Sequence, residues 1–263
     1  MKAFSTLHLL GGACVAAAIL AASGATRAMV GGAEPATDGA GRSVVMILGS
    51  HGTACTATAI ARDLLLTAAH CVPPDSEYKF VDSEPGQVPK LKDVVRIERD
   101  PEFDLRRLLG HLATADVALV KLAQPLSARI PLAPLAAASA SVVVGDPLIV
   151  AGFGVTVRGD GRTGGTVRAA HLVVTGQPGL LQIRLFDPAT KGTAPGLGAC
   201  AGDSGAPAFR ETAAGLMLIG VVSWSTGPNL SAGCGGLTGI TPLSRYRAWI
   251  VDTARALGSP VAP

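Results

Sequence analysis

Aromatic residues are scarce: six Phe, two Tyr and two Trp make up 4% of the 263 residues. A core for a chain of this size must therefore be built mainly from Val, Leu, Ile and Ala, and the 48% hydrophobic content allows it. Charge is thin as well. Only 16% of residues are charged and the formal net charge is +3, too weak an excess to imply a nucleic-acid partner. Beyond the first 28 residues no stretch approaches the ~20 apolar residues of a membrane-spanning helix, so no stable membrane insertion is expected of the remainder. There is no internal repeat and no low-complexity tail. Turn formers are plentiful: 33 Gly and 18 Pro make about a fifth of the chain, which suits many short strands.

The first residues read as a secretory leader. Lys2 supplies a short positive start, the run from Leu9 to Ala22 is apolar or small, and small residues follow at Ser23-Gly24-Ala25 and Ala28. The signal peptide is assigned to 1–28, or to 1–25 with a remnant 26–28, according to whether cleavage follows Ala28 or Ala25. Cys14 raises lipid attachment, but the apolar run continues past it, and Gly11 stands where such signals usually carry leucine. Export is the preferred reading, to a secreted or periplasmic location where disulfides persist. Setting Cys14 aside leaves Cys55, Cys71, Cys200 and Cys234. Four cysteines allow three pairings, and proximity favours Cys55–Cys71 with Cys200–Cys234.

Short apolar runs then alternate with turn residues. Ser43–Leu48, Thr56–Ala61, Leu64–Ala68, Val94–Ile97 and Val117–Leu122 read as strands in a first half, 29–135. Gln124–Ala140, rich in Pro and Ala, reads as the connection. Pro147–Ala151, Ala170–Val174, Leu180–Leu185, Ala206–Phe209, Leu216–Trp224 and Leu237–Ile240 read as strands of a second half, 136–241. Pro242 opens a run with Leu243, Tyr246, Trp249, Ile250 and Ala254 at helical spacing, so 242–257 is predicted as a C-terminal helix. The fold class is all-β with one terminal helix.

Chemistry concentrates at three places. Cys200-Ala201-Gly202-Asp203-Ser204-Gly205-Ala206-Pro207 sets a serine between glycines, and serine needs a neighbouring base before it acts as a nucleophile. Leu66-Thr67-Ala68-Ala69-His70-Cys71 sets a histidine at a strand end. Thr114-Ala115-Asp116-Val117 sets an aspartate at the mouth of another strand. The order His, Asp, Ser differs from that of esterase-type hydrolases, and Ala206 breaks their Gly-x-Ser-x-Gly elbow. His51, His111 and His171 stand in no motif. A zinc site from His51, Cys55, His70 and Cys71 is disfavoured, because adjacent strand side chains face opposite ways. No metal and no cofactor is expected.

Thr67–Cys71, Asp116–Leu119 and Gly202–Gly205 together resemble the chymotrypsin/trypsin-like serine proteases, as a bacterial-type secreted member. Met29-Val30-Gly31-Gly32 resembles the mature N-terminus of that family. Asp100-Pro101, Gly152-Phe153-Gly154, Ser223-Trp224 and Ser244–Ile250 resemble further family motifs in the same order. The resemblance implies two six-stranded antiparallel β-barrels in 29–263, acting as a serine endopeptidase on protein or peptide substrates. It implies Ser204 as nucleophile, His70 as base, Asp116 as orienting carboxylate, and the N–H groups of Gly202 and Ser204 as the oxyanion hole. The freed amine of Met29 would pair with Asp203. Gly198, Ser223, Trp224, Ser225 and Gly239 would form the specificity pocket. Gly198 brings no charge where members that prefer Arg or Lys carry aspartate, Ser225 narrows one wall and Gly239 keeps the other open, so cleavage after small or medium uncharged residues is expected. The family also has members that only bind partners; these typically lose a triad residue, and here all three stand. A monomer is expected, with a protein inhibitor as a further class of partner.

Overall fold

A computed structural model describes residues 29–37, 39–83 and 88–261; the expected leader lies outside the described residues. In chain order the strands are β1 (Glu34–Pro35), β2 (Val44–Gly49), β3 (Ala54–Ala61), β4 (Leu64–Thr67), β5 (Tyr78–Asp82) and β6 (Lys90–Arg99). A short helix α1 (Leu105–Leu109) precedes β7 (Ala118–Leu122). Then come β8 (Pro147–Gly152), β9 (Arg168–Thr175), β10 (Ile183–Phe186), β11 (Pro207–Thr212), β12 (Gly215–Ser225), β13 (Leu237–Pro242) and helix α2 (Arg247–Ala256).

The strands close into two six-stranded antiparallel barrels, the chymotrypsin-like double barrel. The first runs β2-β3-β4-β7-β6-β5. The second runs β9-β10-β13-β12-β11-β8 and closes through β8–β9, with β1 pairing Arg168 and Ala169 of β9 on the edge opposite β8. Closure removes exposed strand edges, which a chain rich in short strands needs. The first interior holds Val45, Ile47, Ala57, Ala59, Leu65, Phe80, Ala118 and Val120. Alanines fill the middle of that barrel, so few aromatics are required.

β3 and β4 are buried on both faces apart from Ala54. One face fills the first barrel, and the other carries Ile60, Leu64 and Leu66 into a shared core with Phe209, Leu218 and Val221 of the second. That double burial leaves neither strand a solvent-facing side, and in β3 it encloses Thr56 and Thr58 as well as the apolar residues. β9 alternates buried and more accessible positions along its length, as a half-buried strand should.

Several elements differ from the sequence reading. Residues 29–36 belong with the second barrel: Val30 bridges Gly198, β1 pairs with β9, and Ala36 N–H donates to Val167 O at 3.0 Å. The terminal helix begins at Arg247 rather than Pro242, because Pro242 closes β13 opposite Gly220. β5, which was not anticipated, is half polar in sequence yet inserts Tyr78 and Phe80 into the first barrel. The connection 124–140 is bonded to both barrels, from Leu126 N–H on Arg62 O to Ala136 N–H on Leu218 O. Helix α2 turns Ile250 and Ala254 into the shared core. No helix among the described residues is long and apolar enough to cross a membrane.

Candidate active site

His70 follows β4 on a single turn of 3-10 helix, Ala69–Cys71. The Cys55–Cys71 disulfide ties that turn to the start of β3. Asp116 precedes β7, the strand paired with β4, so sheet register carries the two residues to the same end of the barrel. Asp116 is fully buried and three donors converge on its carboxylate. The His70 backbone N–H donates to Oδ1 at 2.9 Å, His70 Nδ1 meets Oδ2 at 2.7 Å, and the Ser223 hydroxyl donates to Oδ2 at 2.5 Å. A buried carboxylate with its lone pairs so occupied is fixed in orientation and fixes the imidazole in turn. With Nδ1 committed to Asp116, Nε2 is the nitrogen left for a reacting partner.

Ser204 comes from the β10–β11 connection, whose second disulfide, Cys200–Cys234, was the favoured pairing. Both flanks of the serine are tied to the His70 side of the first barrel. Ser204 O accepts from Thr56 N–H at 2.9 Å. Gly205, at φ +78°, packs so closely that a Cβ would lie 2.1 Å from Thr67 Oγ1 and 2.9 Å from Ala68 N. A side chain at 205 would push the serine off the strand that delivers His70.

Asp203 is fully buried beneath this loop. Its Oδ1 accepts from Gly154 N–H at 2.8 Å and its Oδ2 from Cys200 N–H at 2.9 Å. Burial pushes the carboxyl up to about 7, with those two N–H groups pulling the other way. Cβ atoms on Gly152 or Gly154 would come within 2.3 Å of the Asp203 carboxylate oxygens, so the Gly-Phe-Gly motif is space made for this acid. Met29, also fully buried, shares an apolar cluster with Ala199 and Ala206, which bracket Asp203 in sequence.

The pocket residues sort onto two faces. Ser225 stands opposite Thr238 across β12 and β13, and Trp224 stands opposite Gly239. Thr238 Oγ1 accepts from Ala199 N–H at 3.0 Å and lies 3.4 Å from where a Gly198 Cβ would be. Gly198, Ser225 and Thr238 therefore come together. Gly239 does not join them: its Cβ would fall 2.0 Å from Trp224 Cε2, so this glycine makes room for the indole. Thr238 was missed, although strand alternation sets neighbouring residues on opposite faces and makes 238 and 239 exclusive choices. Ser223, expected in the pocket wall, turns its hydroxyl to Asp116 instead. Beyond Trp224 opens a cleft of about 560 Å³, lined by Leu108, Leu112, Arg184, Leu230 and Leu237 among others. No group of three or more His, Cys, Asp or Glu suited to a metal occurs among the described residues.

Two closed antiparallel barrels with a C-terminal helix form the chymotrypsin-like double barrel, the fold class of trypsin-like serine proteases. The family model described as Trypsin matches residues 30–250, and the chain belongs to that family. Kallikrein-11 of Homo sapiens is 27% identical over 213 residues, 76% of this chain and 72% of that protein. Snake venom serine protease rhinocerase 4 of Bitis rhinoceros is 26% identical over 245 residues, 84% of this chain and 86% of that protein. Among solved structures, human heparin binding protein matches with a TM-score of 0.68 at 24% identity, covering 89% of this chain and all of that one, a likeness of fold. These relatives are vertebrate proteins and give no support to a bacterial-type member.

Proposed function

We propose that the protein is a secreted serine endopeptidase that works through an acyl-enzyme. Ser204 Oγ attacks the scissile carbonyl carbon as its proton passes to His70 Nε2, forming the C–O bond. The carbonyl oxygen becomes an oxyanion held by the Gly202 and Ser204 N–H groups. Collapse breaks the C–N bond, and His70 returns the proton to the leaving amine. Water, activated by the same imidazole, then releases the acyl group and restores Ser204. Asp116 holds the ring and stabilises its charged form, with Ser223 bracing the carboxylate.

The observation that carries this reading is the convergence on Asp116 of His70 Nδ1, His70 N–H and Ser223 Oγ, beside a serine loop bonded to the same barrel. A second supports the oxyanion role. Among the described residues the N–H groups of Gly202 and Ser204 donate to no protein acceptor, while those of Cys200 and Asp203 do. Each such donor is worth roughly 3–4 kcal/mol of barrier.

Activation follows from Asp203. Cleavage after Ala28 would free the amine of Met29, whose side chain is already buried, and supply the cation that the buried acid lacks among its hydrogen-bond partners. Cleavage after Ala25 would leave Thr26-Arg27-Ala28 to be trimmed; N-terminal sequencing of active protein separates the two routes. The uncharged Gly198 and the Ser225–Thr238 pair favour small or medium uncharged residues before the cut. An organophosphate probe should label processed wild-type protein and leave Ser204→Ala unlabelled. A processed wild type that takes no label would refute the protease reading and favour a binding module.

A further inference from the structure

Thr56 of β3 is fully buried, and its N–H and hydroxyl both reach the loop that carries Ser204. Its N–H donates to Ser204 O at 2.9 Å and its C=O accepts from Thr67 Oγ1 at 2.8 Å. Its hydroxyl accepts from Phe153 N–H at 3.1 Å and donates to Gly202 O at 2.8 Å. The side chain belongs to the first barrel, whereas Phe153 and Gly202 lie in segments joined to the second. A single hydroxyl thus bridges the two halves at the floor of the site.

The bridge bears on which way Gly202 N–H points. The peptide before Gly202 is held by its carbonyl, since Ala201 O accepts from Val155 N–H at 2.9 Å. In a trans peptide C=O and N–H point in opposite directions, so this bond turns the Gly202 N–H away from Val155. The peptide after Gly202 is held at both ends: Asp203 N–H donates to Cys200 O at 3.0 Å, and Gly202 O accepts the Thr56 hydroxyl. Between them Gly202 sits at φ +95°, where a Cβ would come 3.0 Å from Gly154 Cα. Glycine is the residue that enters this conformation freely, and for the same reason it leaves freely. Something outside it must fix the second peptide.

We infer that Thr56 is a positioning residue for the reaction: its hydroxyl holds Gly202 O, and so fixes the Gly202 backbone between the Ala201–Gly202 peptide that carries one oxyanion donor and the segment that leads to the other, Ser204 N–H. Valine at 56 would fill the same volume but orphan Phe153 N–H and Gly202 O. Serine would keep both bonds. The inference rests on the reading of Ser204 as nucleophile.

The test compares processed wild type with Thr56→Val, Thr56→Ser and Thr56→Ala, using an uncharged peptide amide as substrate and a peptide aldehyde as oxyanion-forming inhibitor. Thr56→Val should lower kcat about tenfold or more with KM within about twofold, and weaken the aldehyde in proportion. Thr56→Ser should stay within about threefold of wild type. A Thr56→Val change confined to KM, or a Thr56→Ser as impaired as Thr56→Val, overturns the inference. Should Thr56→Val fail to fold, Thr56→Ser against Thr56→Ala reads the same hydroxyl, and equal kcat values overturn it. A wild type that takes no organophosphate label removes the nucleophile and this inference together; a labelled wild type with an unaltered Thr56→Val removes the inference alone.

Discussion

In the uncut chain Asp203 is buried with two backbone N–H groups as its hydrogen-bond donors, and its carboxyl is pushed up to about 7 from the ordinary 3.8. An acid whose pKa is higher folded than unfolded binds its proton more tightly in the folded state. Its contribution is therefore favourable below the unfolded value and is lost as pH rises toward the folded one. At 1.36 kcal/mol per pH unit the loss between pH 4 and pH 8 comes to about 4 kcal/mol. That is a large share of the ~5–15 kcal/mol that holds a typical domain together. The perturbation is Asp203→Asn in the uncleaved protein. Asparagine keeps an acceptor for Gly154 N–H but sets an N–H₂ against Cys200 N–H, a penalty that does not vary with pH. Urea unfolding at pH 4 and pH 8 should show wild type losing about 4 kcal/mol relative to Asp203→Asn over that window, or roughly 10 °C in Tm. Equal pH slopes for the two proteins would refute the reasoning. In processed protein the fall with rising pH moves to a higher window, because the Met29 amine, with a reference value of roughly 8, should be raised by its pairing with the carboxylate. Activity supported by that pair is present below the raised amine value and lost as pH climbs through it. Activity that stays flat to about pH 10.5 would exclude the pairing.

Ser223→Ala removes a hydrogen bond to a buried carboxylate, worth about 1.5–3 kcal/mol. It should lower kcat with KM largely kept, and an unchanged kcat would dismiss the bracing role. Wild type should cleave poorly after Arg and Lys, while Gly198→Asp should improve those cuts; a peptide library showing strong Arg selectivity in wild type would contradict the pocket reading. Replacing Cys200 and Cys234 with serine opens a loop with a sequence separation of 34, at a cost of about 3–4 kcal/mol. Thermal melts should show the loss, and an unchanged Tm would mean the loop is held by Asp203 and Thr56 alone.

Part of the candidate site is legible one residue at a time: His70 and Asp116 sit at the ends of apolar runs and Ser204 sits between glycines, a pattern that needs no coordinates. The cysteine pairs followed from proximity. β5 was not legible because Tyr78-Lys79-Phe80 alternates apolar and polar too briefly to stand out, and only barrel closure buries its aromatics. Gly239 was misassigned and Thr238 missed because pocket membership depends on the pairing of β12 with β13, where one residue decides which face a side chain takes.

By itself the sequence determined the strand-rich class and favoured the two disulfide pairings, which rest on local composition, periodicity and spacing, while the roles expected of His70, Asp116, Ser204 and Gly198 came from a family resemblance. The tertiary structure alone decided which groups hold those side chains. Ser223 reaches Asp116 across 107 residues and Thr56 reaches Gly202 across 146. Such bonds depend on how two barrels close and meet, and no local pattern around a serine or a threonine encodes a partner that closure brings from so far along the chain.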